Sequence, residues 1–121
     1  MDAITKVEII TRPHKLDELK EALNAIGVTG MTVSQVFGYG STKGHTEVYR
    51  GHEYAINLLP KIKVETVVCE VPVERVVETA KRVLRTGEIG DGKIFIHPLV
   101  NAVRIRTGEE GPDAIKEPTR S

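Results

Sequence analysis

Hydrophobic positions along the chain follow two rhythms in alternation. Lys6-Val7-Glu8-Ile9-Ile10-Thr11 is β-branched and roughly alternating, which predicts a strand. Pro13 then suits the first turn of a helix. Beyond it Leu16, Leu19, Leu23 and Ile26 recur at spacings of three, four and three, one apolar stripe. Asp17 and Glu18 complement the positive end of that helix, and Gly27 stops it. Met31 to Phe37 predicts a second strand, closed by Gly38 and Gly40. A third begins near Ile62, where Ile62, Val64 and Val68 interleave with Lys63, Glu65 and Val67. Pro72 opens a second helix with Val73, Val76, Val77, Ala80 and Leu84 on one face. Lys81, Arg82 and Arg85 fall towards its negative end, and Gly87 closes it. Lys93 to His97 and Ala102 to Arg106 predict two short final strands around Pro98.

Strand, helix, strand, long gap, strand, helix, strand is the split βαβ order, with both helices on one sheet face. The expected fold class is therefore α+β, a ferredoxin-like βαββαβ sandwich. Its uncovered face is expected to stay partly apolar in a monomer, which favours an oligomer burying sheet against sheet. The gap from Tyr39 to Pro60 is long for a compact domain, where connections usually run about four to six residues. Its Gly, Ser, Thr, Lys, His, Arg and Tyr content points to a functional loop. The stretch after Gly108 is rich in Gly, Pro and charge. Residues 1–115 read as one domain and 116–121 as a flexible tail.

Composition narrows the function. A chain of 121 residues buries roughly two-thirds of its unfolded surface, enough for a core without staples. Seventeen basic and 17 acidic residues give zero formal charge, so nothing favours nucleic acid or an anionic membrane surface, and any anion site must be local. Cys69 is alone, which excludes an internal disulfide and a cysteine zinc cage; in the apolar run Val67-Val68-Cys69 it reads as a buried, inert thiol. No secretory h-region or membrane-length apolar run is present, and a cytoplasmic location is expected.

Two features suggest phosphate. Gly90-Asp91-Gly92-Lys93 precedes a strand: close glycines let backbone N–H groups approach an anion, and the lysine adds a point charge. Gly-Asp-Gly is equally an ordinary tight turn. Arg104-Ile105-Arg106, read as a strand, puts both guanidinium groups on one face, where an anion or carboxylate would relieve their repulsion. The alternative is a solvated edge strand with Glu partners. With Lys93 on a neighbouring strand, three cations are expected to converge on one polyphosphate. Gly38-Tyr39-Gly40-Ser41-Thr42-Lys43-Gly44 lacks the spacing of a P-loop and a following helix, against a Walker ATPase. His14, His45, His52 and His97 match no zinc spacing. No local nucleophile–base arrangement appears, so no enzyme activity is expected, a slow ATPase being the enzyme-class alternative.

Three stretches resemble the PII nitrogen-regulatory signal-transduction family. Thr42-Lys43-Gly44-His45-Thr46-Glu47-Val48-Tyr49-Arg50-Gly51, with Glu53-Tyr54 after it, is similar to that family's long T-loop, here about 39–60. Thr86-Gly87-Glu88-Ile89-Gly90-Asp91-Gly92-Lys93-Ile94-Phe95 is similar to its nucleotide loop, and Arg104-Ile105-Arg106-Thr107-Gly108-Glu109 to its C-terminal motif. Gly27-Val28-Thr29-Gly30-Met31-Thr32-Val33 also fits, and the likeness runs to about Ile115. The resemblance implies a homotrimer with ATP or ADP in clefts between subunits. Thr32, Gly38, Gly40, Ser41, Thr42, Val67, Gly90, Asp91, Gly92, Lys93, Arg104 and Arg106 would line each cleft. It further implies Mg²⁺ with ATP, held in part by Thr42, and 2-oxoglutarate near Lys61, Gly44, Ile89 and Gly90. The implied partners are an ammonium transporter (the one route to a membrane), glutamine synthetase or other nitrogen-assimilation enzymes, and nitrogen transcription regulators, with no direct nucleic-acid contact. Some relatives are uridylylated at the tyrosine matching Tyr54, which is otherwise an interface anchor. Thr42 departs from the usual Gln. A threonine hydroxyl is a hard oxygen donor but shorter and without an amide, which predicts weakened or absent 2-oxoglutarate binding. A PII-like trimer sensing another metabolite, or serving a different transporter, is the second reading.

Overall fold

The structure, a computed structural model, describes residues 3–38, 47–49, 52–54 and 58–116. Strand β1 (Ile4–Thr11) leads through a 3₁₀ turn at Pro13–Lys15 into α1 (Leu16–Ala25) and β2 (Thr32–Gly38). Next come the short strands β3 (Glu47–Tyr49) and β4 (His52–Tyr54), then β5 (Leu59–Val68), α2 (Val73–Leu84), β6 (Lys93–Leu99) and the single turn α3 (Pro112–Ile115). The main sheet runs β2-β5-β1-β6, all antiparallel, which is the expected ferredoxin-like order. The helices cover one face. Alternate residues of the central strands (Val7, Ile9 and Thr11; Ile62, Val64, Thr66 and Val68) are buried against Leu19, Leu23, Val76, Ala80 and Leu84.

Four expectations change. β5 begins at Leu59, three residues before Ile62, and β3 pairs with β4 as a separate two-stranded sheet inside the long gap. β6 runs unbroken through Pro98, which is tolerated because β6 is an edge strand. Residues 102–106 are not a strand: Val103 makes one isolated bridge to Glu110, and 105–107 form a turn. The uncovered face is partly apolar, as expected. By register it carries Lys6, Glu8, Lys61, Lys63, Glu65, Lys93 and His97 among Val36, Ile10, Val67 and Phe95.

Candidate functional site

The loop between α2 and β6 is assembled around one carboxylate. Asp91 accepts hydrogen bonds from the Thr86 N–H at 2.8 Å, the Gly87 N–H at 2.9 Å, the Thr86 hydroxyl, and Arg12 at 2.6 Å. The Thr86 hydroxyl first, then the Thr86 N–H, outweigh desolvation and, with Gly87 and Arg12, hold the Asp91 carboxyl far below the usual carboxylate range. The side chain of Asp91 is thus spent on the loop itself.

The backbone of the same loop faces two ways. The carbonyl of Ile89 accepts from Arg12 at 2.9 Å, that of Gly90 from Lys61 at 2.8 Å, and that of Asp91 from the Thr11 hydroxyl at 2.8 Å. In a trans peptide the C=O and the next N–H point oppositely. Three consecutive carbonyls turned onto the end of the sheet therefore turn the N–H groups of Gly90, Asp91 and Gly92 outward. Those three amides donate no bond among the described residues. Unpaired amides beside two glycines are suited to an anion, and Lys93 comes next, at the start of β6, with its side chain exposed. Glycine is required here. A Cβ at Gly92 (φ +113°) would lie 1.8 Å from the Ile10 carbonyl oxygen.

A cleft of about 710 Å³ opens towards the other end of the sheet, within the range of small-molecule sites. Thr32, Val67, Gly27, Val28, Cys69 and Lys6 contribute to its walls, and Ala114, Ile115 and Lys116 border it. Burial opposes ionisation of Glu65 in that wall, but the hydrogen bond and charge of Lys6, then Lys63, outweigh it and lower its pKa. Thr66 fixes the approach by donating to the Gly30 carbonyl at 2.7 Å.

The structure brings Gly38, Lys61, Ile89, Gly90, Asp91, Gly92 and Lys93 to one end. Lys61 links them: it bonds Gly90, and an added Cβ on Gly38 would be 3.3 Å from its Cγ. Thr32 and Val67 belong to the cleft instead. The arginines do not join Lys93 within a chain. Lys93 pairs with Ile10 and Leu99 with Ile4, so the segment carrying Arg104 leaves the sheet roughly 20 Å away along β6. Nor do they share a strand face. Arg104 is held by Glu109 at 2.8 Å and by the carbonyls of Ala114 and Lys116, whereas Arg106 is exposed in the turn. Gly40, Ser41, Thr42 and Gly44, and with Thr42 the magnesium expectation, lie outside the described residues, as does the side chain of Tyr54. Arg12 and Thr11 were not expected: their partners Thr86 and Asp91 stand 74 to 80 residues away, and no local pattern marks them. Thr86 lies inside the stretch read as the nucleotide loop, and its bonds to Asp91 close that loop.

The description "Nitrogen regulatory protein P-II" fits residues 4–109 as a family model. The chain belongs to the P-II family. Two similar P-II relatives are the nitrogen regulatory protein P-II of Rhodospirillum rubrum and the nitrogen regulatory PII-like protein of Bacillus subtilis. Each is 54% identical over 110 residues, 91% of this chain, and the matches cover 98% and 95% of those proteins. Among solved structures, B. subtilis GlnK superposes with a TM-score of 0.79 at 52% identity, covering 93% of this chain and 98% of that one. A B. subtilis GlnK–ATP complex gives the same score and identity, covering 97% of that chain. As a P-II protein the chain has a signalling family's fold, and no helix among its described residues is long and apolar enough to cross a membrane.

Proposed function

We propose that this P-II protein reads ATP and ADP in clefts completed between neighbouring copies of a homotrimer, and regulates partner proteins through the loop 39–60. The observation that carries this reading is the outward run of three N–H groups at Gly90, Asp91 and Gly92 beside Lys93. It supplies phosphate recognition at one end of the sheet, while the cleft beside Thr32 and Val67 has the volume for a nucleoside. Arg104 and Arg106 sit far from Lys93 in one chain, so a second copy is needed to bring both sets to one polyphosphate. Exposed apolar side chains flank each half: Val100, Val103 and Ile105 by the arginines, Ile89 and Leu59 by the loop. That is the surface a self-associating chain would bury. The GlnK–ATP complex among similar structures supports the ligand class.

Signalling requires that each nucleotide favour a different loop ensemble, because a ligand shifts an equilibrium only through differential affinity. Lys61 is the physical link, joining the Gly90 carbonyl to the root of the long loop at Gly38. An ammonium transporter, glutamine synthetase or a transcription regulator would then read that loop in the cytoplasm or at a transporter. Tyr54 serves as a modification site or an interface anchor. Thr42 favours adenylate competition over 2-oxoglutarate as the input, and keeps open a P-II trimer tuned to another metabolite. Calorimetry tests the core of this reading: ATP and ADP should compete for one class of site, and Lys93→Ala should weaken both. ATP binding unaffected by Lys93→Ala would overturn it. Steady ATP turnover abolished by that substitution would favour the slow ATPase.

A further inference from the structure

We propose that Arg12 is a positioning residue for the loop of residues 86–93, holding its backbone in the shape that receives a phosphoryl group. The inference rests on reading that loop as the phosphate end of the nucleotide site.

The bonds from Thr86 and Gly87 to Asp91 close the loop on itself and do not fix it to the sheet. Attachment comes from three side chains. Thr11 and Lys61 each hold one carbonyl, those of Asp91 and Gly90. Arg12 reaches both limbs at once: Nη1 to the Asp91 carboxylate at 2.6 Å and the Thr86 hydroxyl at 3.3 Å, Nη2 to the Ile89 carbonyl at 2.9 Å. A planar guanidinium offers donors in two fixed directions, which an ammonium does not. Holding the Ile89 carbonyl inward is what turns the Gly90 N–H outward.

Arg12 is itself well placed to act as a fixed post. It comes directly after the last residue of β1 and precedes Pro13, which confines it to extended backbone; its φ and ψ are −70° and 139°. Its side chain is only 22% exposed, as is that of Asp91. The bond to Asp91 joins two charged groups, the stronger kind.

The test compares Arg12→Gln and Arg12→Lys with the wild type in nucleotide calorimetry, with adenosine affinity measured by competition. Losing a charge-assisted brace should weaken ATP binding at least about tenfold and leave adenosine within about twofold. Arg12→Lys should recover part of the loss, since an ammonium can hold one limb but not both. Equal losses for ATP and adenosine, or an Arg12→Gln protein that binds ATP as well as wild type, would overturn the inference. A wild-type protein that binds no ATP would overturn the nucleotide reading instead. Amide exchange at Thr86 and Gly87 would then decide Arg12's part: faster in Arg12→Gln if it holds the loop, unchanged if it does not.

Discussion

Replacing Gly92 by alanine tests the geometry of the phosphate loop without touching any polar group. The added Cβ would lie 1.8 Å from the Ile10 carbonyl oxygen, 2.9 Å from its carbon and 3.0 Å from the Thr11 Cα. All three are backbone atoms of β1, which is paired on both sides at this level, to Lys63 and to Lys93. Relief therefore needs a movement of more than about 1 Å by a doubly paired strand, or release of the loop. The positive φ alone costs alanine about 1–2 kcal/mol, and each backbone or Thr11 hydrogen bond given up costs about 1 kcal/mol more. Together these make about 3–4 kcal/mol, a fall in Tm of about 12–16 °C for a chain of this length. Gly87→Ala is the control: its φ is +89° but nothing lies within 4 Å of the added Cβ, so only the conformational cost of about 1–2 kcal/mol applies. Thermal unfolding monitored by circular dichroism at one protomer concentration compares the pair. Equal melting of the two variants would refute the reasoning, because they differ only in the close approach to β1.

Two further substitutions probe the site. Asp91 has its pKa depressed by folding, so its stabilising contribution is complete above the unfolded carboxylate value, about pH 4, and drains away as pH falls towards the folded one. The stability gap between wild type and Asp91→Asn, measured by urea unfolding, should be constant at neutral pH and narrow in acid; a gap that widens in acid would contradict the assignment. Thr42→Gln should raise 2-oxoglutarate affinity in the presence of Mg-ATP, and calorimetry showing tight binding by the unaltered protein would remove Thr42 as the reason for a weak response.

The helices and central strands were readable because their signal is local. Leu16, Leu19 and Leu23 repeat with a helical period, and Val7 and Ile9 or Ile62 and Val64 with a strand period, so each element declares its buried face. Residues 102–106 carry the same alternation and still form no strand. Arg104 donates its N–H to the Glu109 carbonyl at 2.8 Å, and Gly108 donates to the Arg104 carbonyl at 2.7 Å, so the segment folds onto its own C-terminal neighbours. The Glu partner of the alternative reading is present as Glu109 on Arg104, but in a turn rather than on an edge strand. The phosphate loop was half legible. Its glycines and Lys93 announce backbone approach and charge, whereas the inward turn of three carbonyls depends on Thr11, Arg12 and Lys61, which register alone brings near. The separation of Lys93 from the arginines likewise arises from the pairing of β6 with β1 and from nothing nearer in sequence.

That separation gives the sharpest test of a nucleotide site shared between copies. Lys93→Ala and Arg106→Ala, each impaired alone, are mixed one to one, unfolded and refolded together, and titrated with ATP. If Lys93 and Arg106 of different copies serve one cleft, about one cleft in three in the mixed trimers, or about one in four of all clefts, carries both intact groups and binds ATP with wild-type affinity. Recovery of no tight sites, with mixed assemblies verified by mass, would contradict the account.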